Sequence, residues 1–183
     1  VCGEDSVEGG TGGAPFSVTM LCRELMKREP RRLTDLDTIR KAAQVMRDAG
    51  VGFLPIVDSA GRPVGVVTDR DLVVRALAND VLAEAAISTV MTDEVLAVHE
   101  GDDLRTAANR MARTHRARVV VLDDAGVLVG VLSLSDVIDH LEAASATWTM
   151  REVVQRAERL SLIPGGDARS ERASLPGRPS RAA

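Results

Sequence analysis

Between Met20 and Leu141 the apolar residues follow a helical rhythm and then a strand-like one, and the whole succession occurs twice. Ile39, Ala42, Ala43 and Met46 fall at the spacing of one helix face, as do Leu104, Ala107, Ala108 and Met111. Gly50 closes the first of these helices, a residue suited to a left-handed cap. Each helix precedes a short apolar run, "FLPIVD" (residues 53–58) or "VVVLD" (residues 119–123). A tight turn, "SAGR" or "DAGV", leads to a second run, "VGVVT" or "LVGVLS", so each pair of runs predicts a β-hairpin. A further helix starts at Thr68 or Ser133, with apolar faces through Leu72, Val73, Ala76 and Leu77, or through Val137, Ile138 and Leu141. The stretches "RRLT" and "LAVHE" predict short extra strands. A last helical pattern, with a stripe through Trp148, Val153 and Leu160, predicts a terminal helix that packs on the module or on a second subunit.

Sliding the chain by 65 residues aligns Leu25–Leu72 with Val90–Val137 without a gap, and 14 of the 48 pairs are identical. Shared composition does not produce that agreement, so the unit is duplicated. Two copies indicate two packed subdomains, since a solenoid needs three or more. The fold class is α+β, each repeat reading β-α-β-β-α. The expected organisation is a flexible leader over residues 1–19, repeats over 20–80 and 81–141, a helix over 142–163 and a disordered tail over 164–183.

Composition narrows the function classes. Aromatic residues make up 2% of the 183, against 45% hydrophobic residues overall, so Val, Leu, Ile, Ala and Met must build the core. So few rings argue against a stacking platform for single-stranded nucleic acid, and a net charge of −4 argues against nucleic acid and anionic membranes. Cys2 and Cys22 form no disulfide framework or zinc spacing, and no stretch reaches the roughly 20 apolar residues of a membrane helix. A cytoplasmic protein with no metal site is expected. No nucleophile–base spacing or phosphate-loop motif points to catalysis, so the chain is not expected to be an enzyme.

The chemistry lies in "GVVTDRDL" and "GVLSLSDV" (residues 65–72 and 130–137). Thr68-x-x-Asp71 and Ser133-x-x-Asp136 each fit a helix capping box, which needs no ligand. The same geometry suits a nucleoside: unpaired amides at a helix start favour phosphate, and a carboxylate one turn in accepts from ribose hydroxyls. The hydroxyl of Thr68 or Ser133 would then donate to a phosphate oxygen. Both readings stand on local sequence alone.

The helix–strand–turn–strand–helix unit with "LPIVDSAGRPVGVVTDRDL" resembles a cystathionine β-synthase (CBS) domain, and the tandem resembles a CBS-domain pair, or Bateman module. The second copy, "VVVLDDAGVLVGVLSLSDV", lacks the strand proline and the TDRD form but keeps the Gly, Ser and Asp positions. The resemblance implies repeats packed with pseudo-twofold symmetry and clefts that bind AMP, ADP, ATP, or in some members S-adenosylmethionine or NAD. It implies ribose contacts from Asp71 and Asp136, and ribose or phosphate contacts from Thr68 and Ser133. Val51, Phe53, Leu54 and Pro55 would wall one base pocket, with Arg116, Arg118 and Val119 as counterparts; Leu33, Thr34, Val98 and His99 correspond to further base-lining positions. Arg70 suits a phosphate and its counterpart Ser135 does not, so two unequal sites are expected, the Asp71 site being the stronger. The functional expectation is a regulatory adenine-nucleotide sensor with no required cofactor, forming a homodimer and signalling to an effector protein. The rival is a dimerising scaffold whose clefts have decayed.

Overall fold

The computed structural model describes residues 20–161, with side chains to residue 155. The expected leader and tail, and the side chain of Leu160, lie outside the described residues. The chain opens with α1 (Cys22–Leu25), β1 (Lys27–Arg28) and β2 (Leu33–Thr34). The first repeat continues with α2 (Ile39–Ala49), β3 (Phe53–Val57), β4 (Pro63–Thr68) and α3 (Asp69–Asp71). The second repeat holds β5 (Ala97–His99), α4 (Leu104–Thr114), β6 (Arg118–Leu122), β7 (Leu128–Ser133) and α5 (Leu134–Ile138), and α6 (Ala143–Ser161) follows.

Local sequence accounts for most of these boundaries. The Thr38 hydroxyl accepts from the Lys41 amide at the start of α2, and Gly50 closes that helix at φ +64°. At the end of α4 the left-handed cap is His115, at φ +52°. The hairpins β3–β4 and β6–β7 pair antiparallel, while β2 and β5 join their sheets parallel to β3 and β6.

Strand alternation divides each hairpin between two cores. Leu54, Ile56 and Val67 face the helices of the first repeat, and Val119, Val121 and Leu132 face those of the second. The opposite faces meet across the repeats, where Val57 and Val66 pack on Val120 and Leu128 with Phe53, Ala97 and Leu122 at the margin. The two repeats are therefore stacked sheet on sheet about a pseudo-twofold axis, with helices outside. The Leu128 amide donates to the Gly61 carbonyl across this joint. Its symmetry mate would need an N–H from Pro63, which has none.

The segment leading into each repeat belongs to the other repeat's sheet. β1 pairs antiparallel with β7, and Thr92 exchanges backbone hydrogen bonds with Val66 on β4. The equivalent methionines Met26 and Met91 lie over Gly130 and Gly65, where a β-carbon would come within 2.5 and 2.7 Å of the sulfur. A β-carbon at either position would force the methionine to shift.

Three expected apolar faces differ in detail. After α3 the helix widens into a π-helical turn (Leu72–Ala76) and a 3-10 turn (Leu77–Asn79). Only the Leu72/Ala76 row reaches the core, leaving Val73 and Leu77 exposed. α5 stops at Ile138, although Leu141 beyond it still packs on the core. On α6, Thr149 and Val153 are buried, and Trp148, turned from that face, is 46% exposed.

The methionine–glycine contact yields a testable expectation. Gly130→Ala destabilises the protein by about 1–3 kcal/mol through overpacking against Met26. In a double-mutant cycle with Met26→Ala the losses are sub-additive, since shortening the methionine removes its Sδ and Cγ from the new β-carbon. Urea unfolding of the four proteins measures both quantities.

Candidate functional site

The capping boxes predicted from sequence are both formed. Thr68 Oγ1 accepts from the Asp71 amide at 3.2 Å, while the Thr68 amide and hydroxyl donate to Asp71 Oδ2 at 2.9 and 2.7 Å. Ser133 and Asp136 repeat the pattern, with the Asp136 amide donating to Ser133 Oγ at 3.4 Å. The hydroxyl hydrogen is thereby committed to the carboxylate in each copy. Thr68 Oγ1 keeps one lone pair outside the cap, whereas Ser133 Oγ also lies 2.9 Å from the Ser135 hydroxyl, which with the Asp136 amide takes up its acceptor capacity.

A cleft of about 640 Å³ opens beside Thr68, at one end of the sheet-on-sheet joint. It gathers Thr68, Arg70 and Asp71 from the first repeat with Arg116 and Arg118 from the second, and Phe53 lies between them. Phe53 and Arg118 occupy equivalent positions, each paired across its hairpin with the capping hydroxyl residue. The Arg118 guanidinium stands 5.9 Å from the Phe53 ring centroid, within cation–π range. Among the described residues neither Arg70 nor Arg118 is ion-paired with a carboxylate. Arg116 is engaged, donating to the Glu94 carbonyl at 2.6 Å and to its carboxylate at 2.9 Å.

Other expected residues are placed elsewhere. Leu33, Leu54, Val98 and Val119 are buried in the repeat cores, because their strand parity turns them toward the helices rather than the cleft. Pro55 is also buried, whereas Val51 and Thr34 are exposed. None of these lines the described cleft. His99 sits on β5 with Nε2 3.2 Å from Asp124 Oδ1, also away from it.

Several cleft residues escaped the sequence reading, Arg75 and Thr92 among the polar ones. Arg75 lies 3.4 Å from Asp71 Oδ1 and also donates to the Val90 and Met91 carbonyls and the Thr92 hydroxyl. Its place four residues after Asp71 on a helix is a legible signal. Thr92 arrives with the exchanged segment and carries no such signal. In the second copy His140 replaces Arg75 and Lys27 replaces Thr92. There Lys27 supplies the cation, 3.6 Å from Asp136 Oδ1. Each carboxylate thus keeps one cationic neighbour, delivered by its own helix in one copy and by the exchanged segment in the other.

Burial works to raise the Asp136 carboxyl, but the Ser133 hydroxyl and amide and the Lys27 ammonium outweigh it and hold the group below its ordinary range. The stabilisation it gives is therefore present above the unfolded value of about 4 and is lost as pH falls through the lower folded value. Ser133→Ala costs about 1 kcal/mol at neutral pH as a lost cap. Its difference from wild type narrows as pH drops from 5 toward 2, measured by urea unfolding across that range.

The CBS-domain family model matches residues 22–77 and again residues 87–143. The uncharacterized protein YlbB of Bacillus subtilis is 35% identical over 115 residues, covering 62% of this chain and 77% of that protein. Two further curated relatives are longer, the matched part being 22% and 59% of their lengths. The CBS domain protein PAE2072 of Pyrobaculum aerophilum, solved in complex with AMP, superposes with a TM-score of 0.59 at 32% identity, over 74% of this chain and 99% of that one. The CBS domain pair of MJ0100, solved with 5-methylthioadenosine and S-adenosyl-L-methionine, gives 0.59 at 28%, over 65% and 93%. A duplicated unit, stacked sheets with exchanged lead segments and two matches to one family model converge: the chain belongs to the CBS-domain family and carries two CBS domains in tandem.

Proposed function

We propose that this protein is a regulatory module that binds an adenine nucleotide in the cleft between its repeats and passes the bound state to a partner protein. The observation that carries this reading is the convergence of Asp71, Arg70 and Arg118, from two repeats, on one cleft of about 640 Å³. That volume falls within the usual range of ligand pockets, about 300–1,000 Å³. Asp71 Oδ1, left outside the cap, accepts from ribose hydroxyls. Arg70 and Arg118 supply charge-assisted hydrogen bonds to phosphate. The apolar side chains of Phe53, Val66, Val74 and Leu96 provide the surface a purine buries. The AMP bound by PAE2072 and the S-adenosyl-L-methionine bound by the MJ0100 pair belong to the same ligand class.

Nucleotide acts here as a regulatory ligand, without a cofactor or catalytic step. Among the described residues no group of three or more His, Cys, Asp or Glu is placed to hold a metal ion, and no helix is long and apolar enough to cross a membrane. A homodimer acting in the cytoplasm on an effector protein completes the proposal. The scaffold reading keeps one specific support, in the second copy. There Ser135 and His140 stand in place of Arg70 and Arg75, and Lys27 already engages Asp136.

A thermal-shift panel of AMP, ADP, ATP, NAD and S-adenosylmethionine tests the proposal. A ligand at 100 times its Kd adds about 2.7 kcal/mol, a rise of several degrees in Tm for a domain of this size. A flat panel leaves only the scaffold. Asp71→Ala weakens binding at least about tenfold, equivalent to 1.4 kcal/mol, and Asp136→Ala weakens it less. Calorimetric titration of both variants measures the order, and the reverse order overturns the assignment of the stronger site.

A further inference from the structure

His115 occupies a position that the first repeat fills with Gly50. Both residues end the first long helix of their repeat in the left-handed region, at φ +52° and +64°. Glycine adopts that conformation freely, whereas histidine brings a β-carbon and a ring into it. His115 has neighbours on two elements of the fold. Residue 115 forms part of the cleft wall with Arg116 and Ala117. Its Nδ1 lies 2.7 Å from the backbone carbonyl of Glu152. A carbonyl only accepts, so Nδ1 carries the hydrogen and the ring orientation is fixed.

Glu152 lies on α6, which stands outside both repeats and covers the helices of the second, with Thr149 and Val153 buried beneath it. One residue therefore borders the cleft and holds the helix that follows the repeats. In the first repeat Gly50 offers no such contact.

We infer that His115 links occupancy of the cleft to the placement of α6, making that helix the element through which the bound state is read. This rests on the nucleotide-binding function proposed above and names its output. An anion drawn in by Arg70 and Arg118 settles against the loop of His115–Arg118, and the Nδ1–Glu152 bond transmits the adjustment of that loop to α6. Binding biases α6 only as far as the ligand prefers one arrangement of the loop over the other. His115 is a positioning residue in this scheme, not a ligand contact.

The protein carries its own reporter. Trp148 is the only tryptophan in the sequence, it lies on α6 one turn before Glu152, and it is half exposed. AMP and ATP are each titrated into the full chain, with binding followed by calorimetry and α6 by Trp148 fluorescence. Wild type gives a saturating fluorescence change whose midpoint matches the calorimetric Kd. At concentrations that saturate each protein by calorimetry, His115→Gly, which preserves the left-handed backbone, loses most of the fluorescence change. His115→Asn, which also tolerates this conformation, serves as the second variant, and circular dichroism verifies that both fold. A wild-type-sized signal in both variants overturns the inference. So does a silent Trp148 in a wild-type protein that binds, or loss of binding in the folded variants. Absence of calorimetric binding to wild type by AMP, ATP and the other members of the panel instead defeats the nucleotide-binding function itself, and this coupling with it.

Discussion

The structure depends on the small apolar joint where Val57 and Val66 of one sheet pack on Val120 and Leu128 of the other. Neither hairpin buries both of its faces within its own repeat, since the helices cover only one side. Sheet-on-sheet stacking removes the second face from water and sets the repeats about a pseudo-twofold axis. It also brings the ends of β3, β4 and β6 together. A polar residue at the end of a strand there remains at the margin of the joint and near the opposite repeat. The cleft is a consequence of that edge, which explains why Phe53 and Arg118, equivalent positions at the strand starts, face each other across it.

The exchanged lead segments tighten this arrangement. Met26 and Met91 reach across to glycines on the partner hairpins, so neither repeat has a complete sheet without the chain that introduces the other. The contact also makes the clefts composite. Asp71 is approached by Arg75, which is itself held by carbonyls of the Val90–Thr92 crossing segment, and Asp136 is approached by Lys27 from the other crossing segment. Duplication has preserved the position of the cation while changing the element that delivers it.

The asymmetry continues beyond the clefts. α6 covers the helices of the second repeat, while the corresponding region of the first leaves Val73, Leu77 and Leu82 open to solvent. Cys22, buried in the second core next to Asp102 and Asp103, has its thiol pushed up to about 11, by burial first and by those carboxylates second. It is a packing residue, with little thiolate to react at neutral pH.

Much of this fold was legible in the chain because its signals are local. Helix faces repeat every three or four residues, hairpins alternate by two, and a capping box closes within four, so α2, α4, both hairpins and both hydroxyl–aspartate caps follow from the sequence itself. The duplication added the pairing of the copies and singled out Thr68, Arg70 and Asp71, which the structure places on one cleft. Local rules did not decide which strand residues face that cleft, and Leu54 and Val119 turn inward on the parity of their strands. Nor did they place Lys27 beside Asp136, Arg75 on the Val90 and Met91 carbonyls, or His115 against Glu152. The Lys27 contact joins residues over a hundred positions apart, and none of these pairings leaves a period or a spacing rule in the chain. They are fixed only when the two apolar sheet faces close on each other and the lead segments cross.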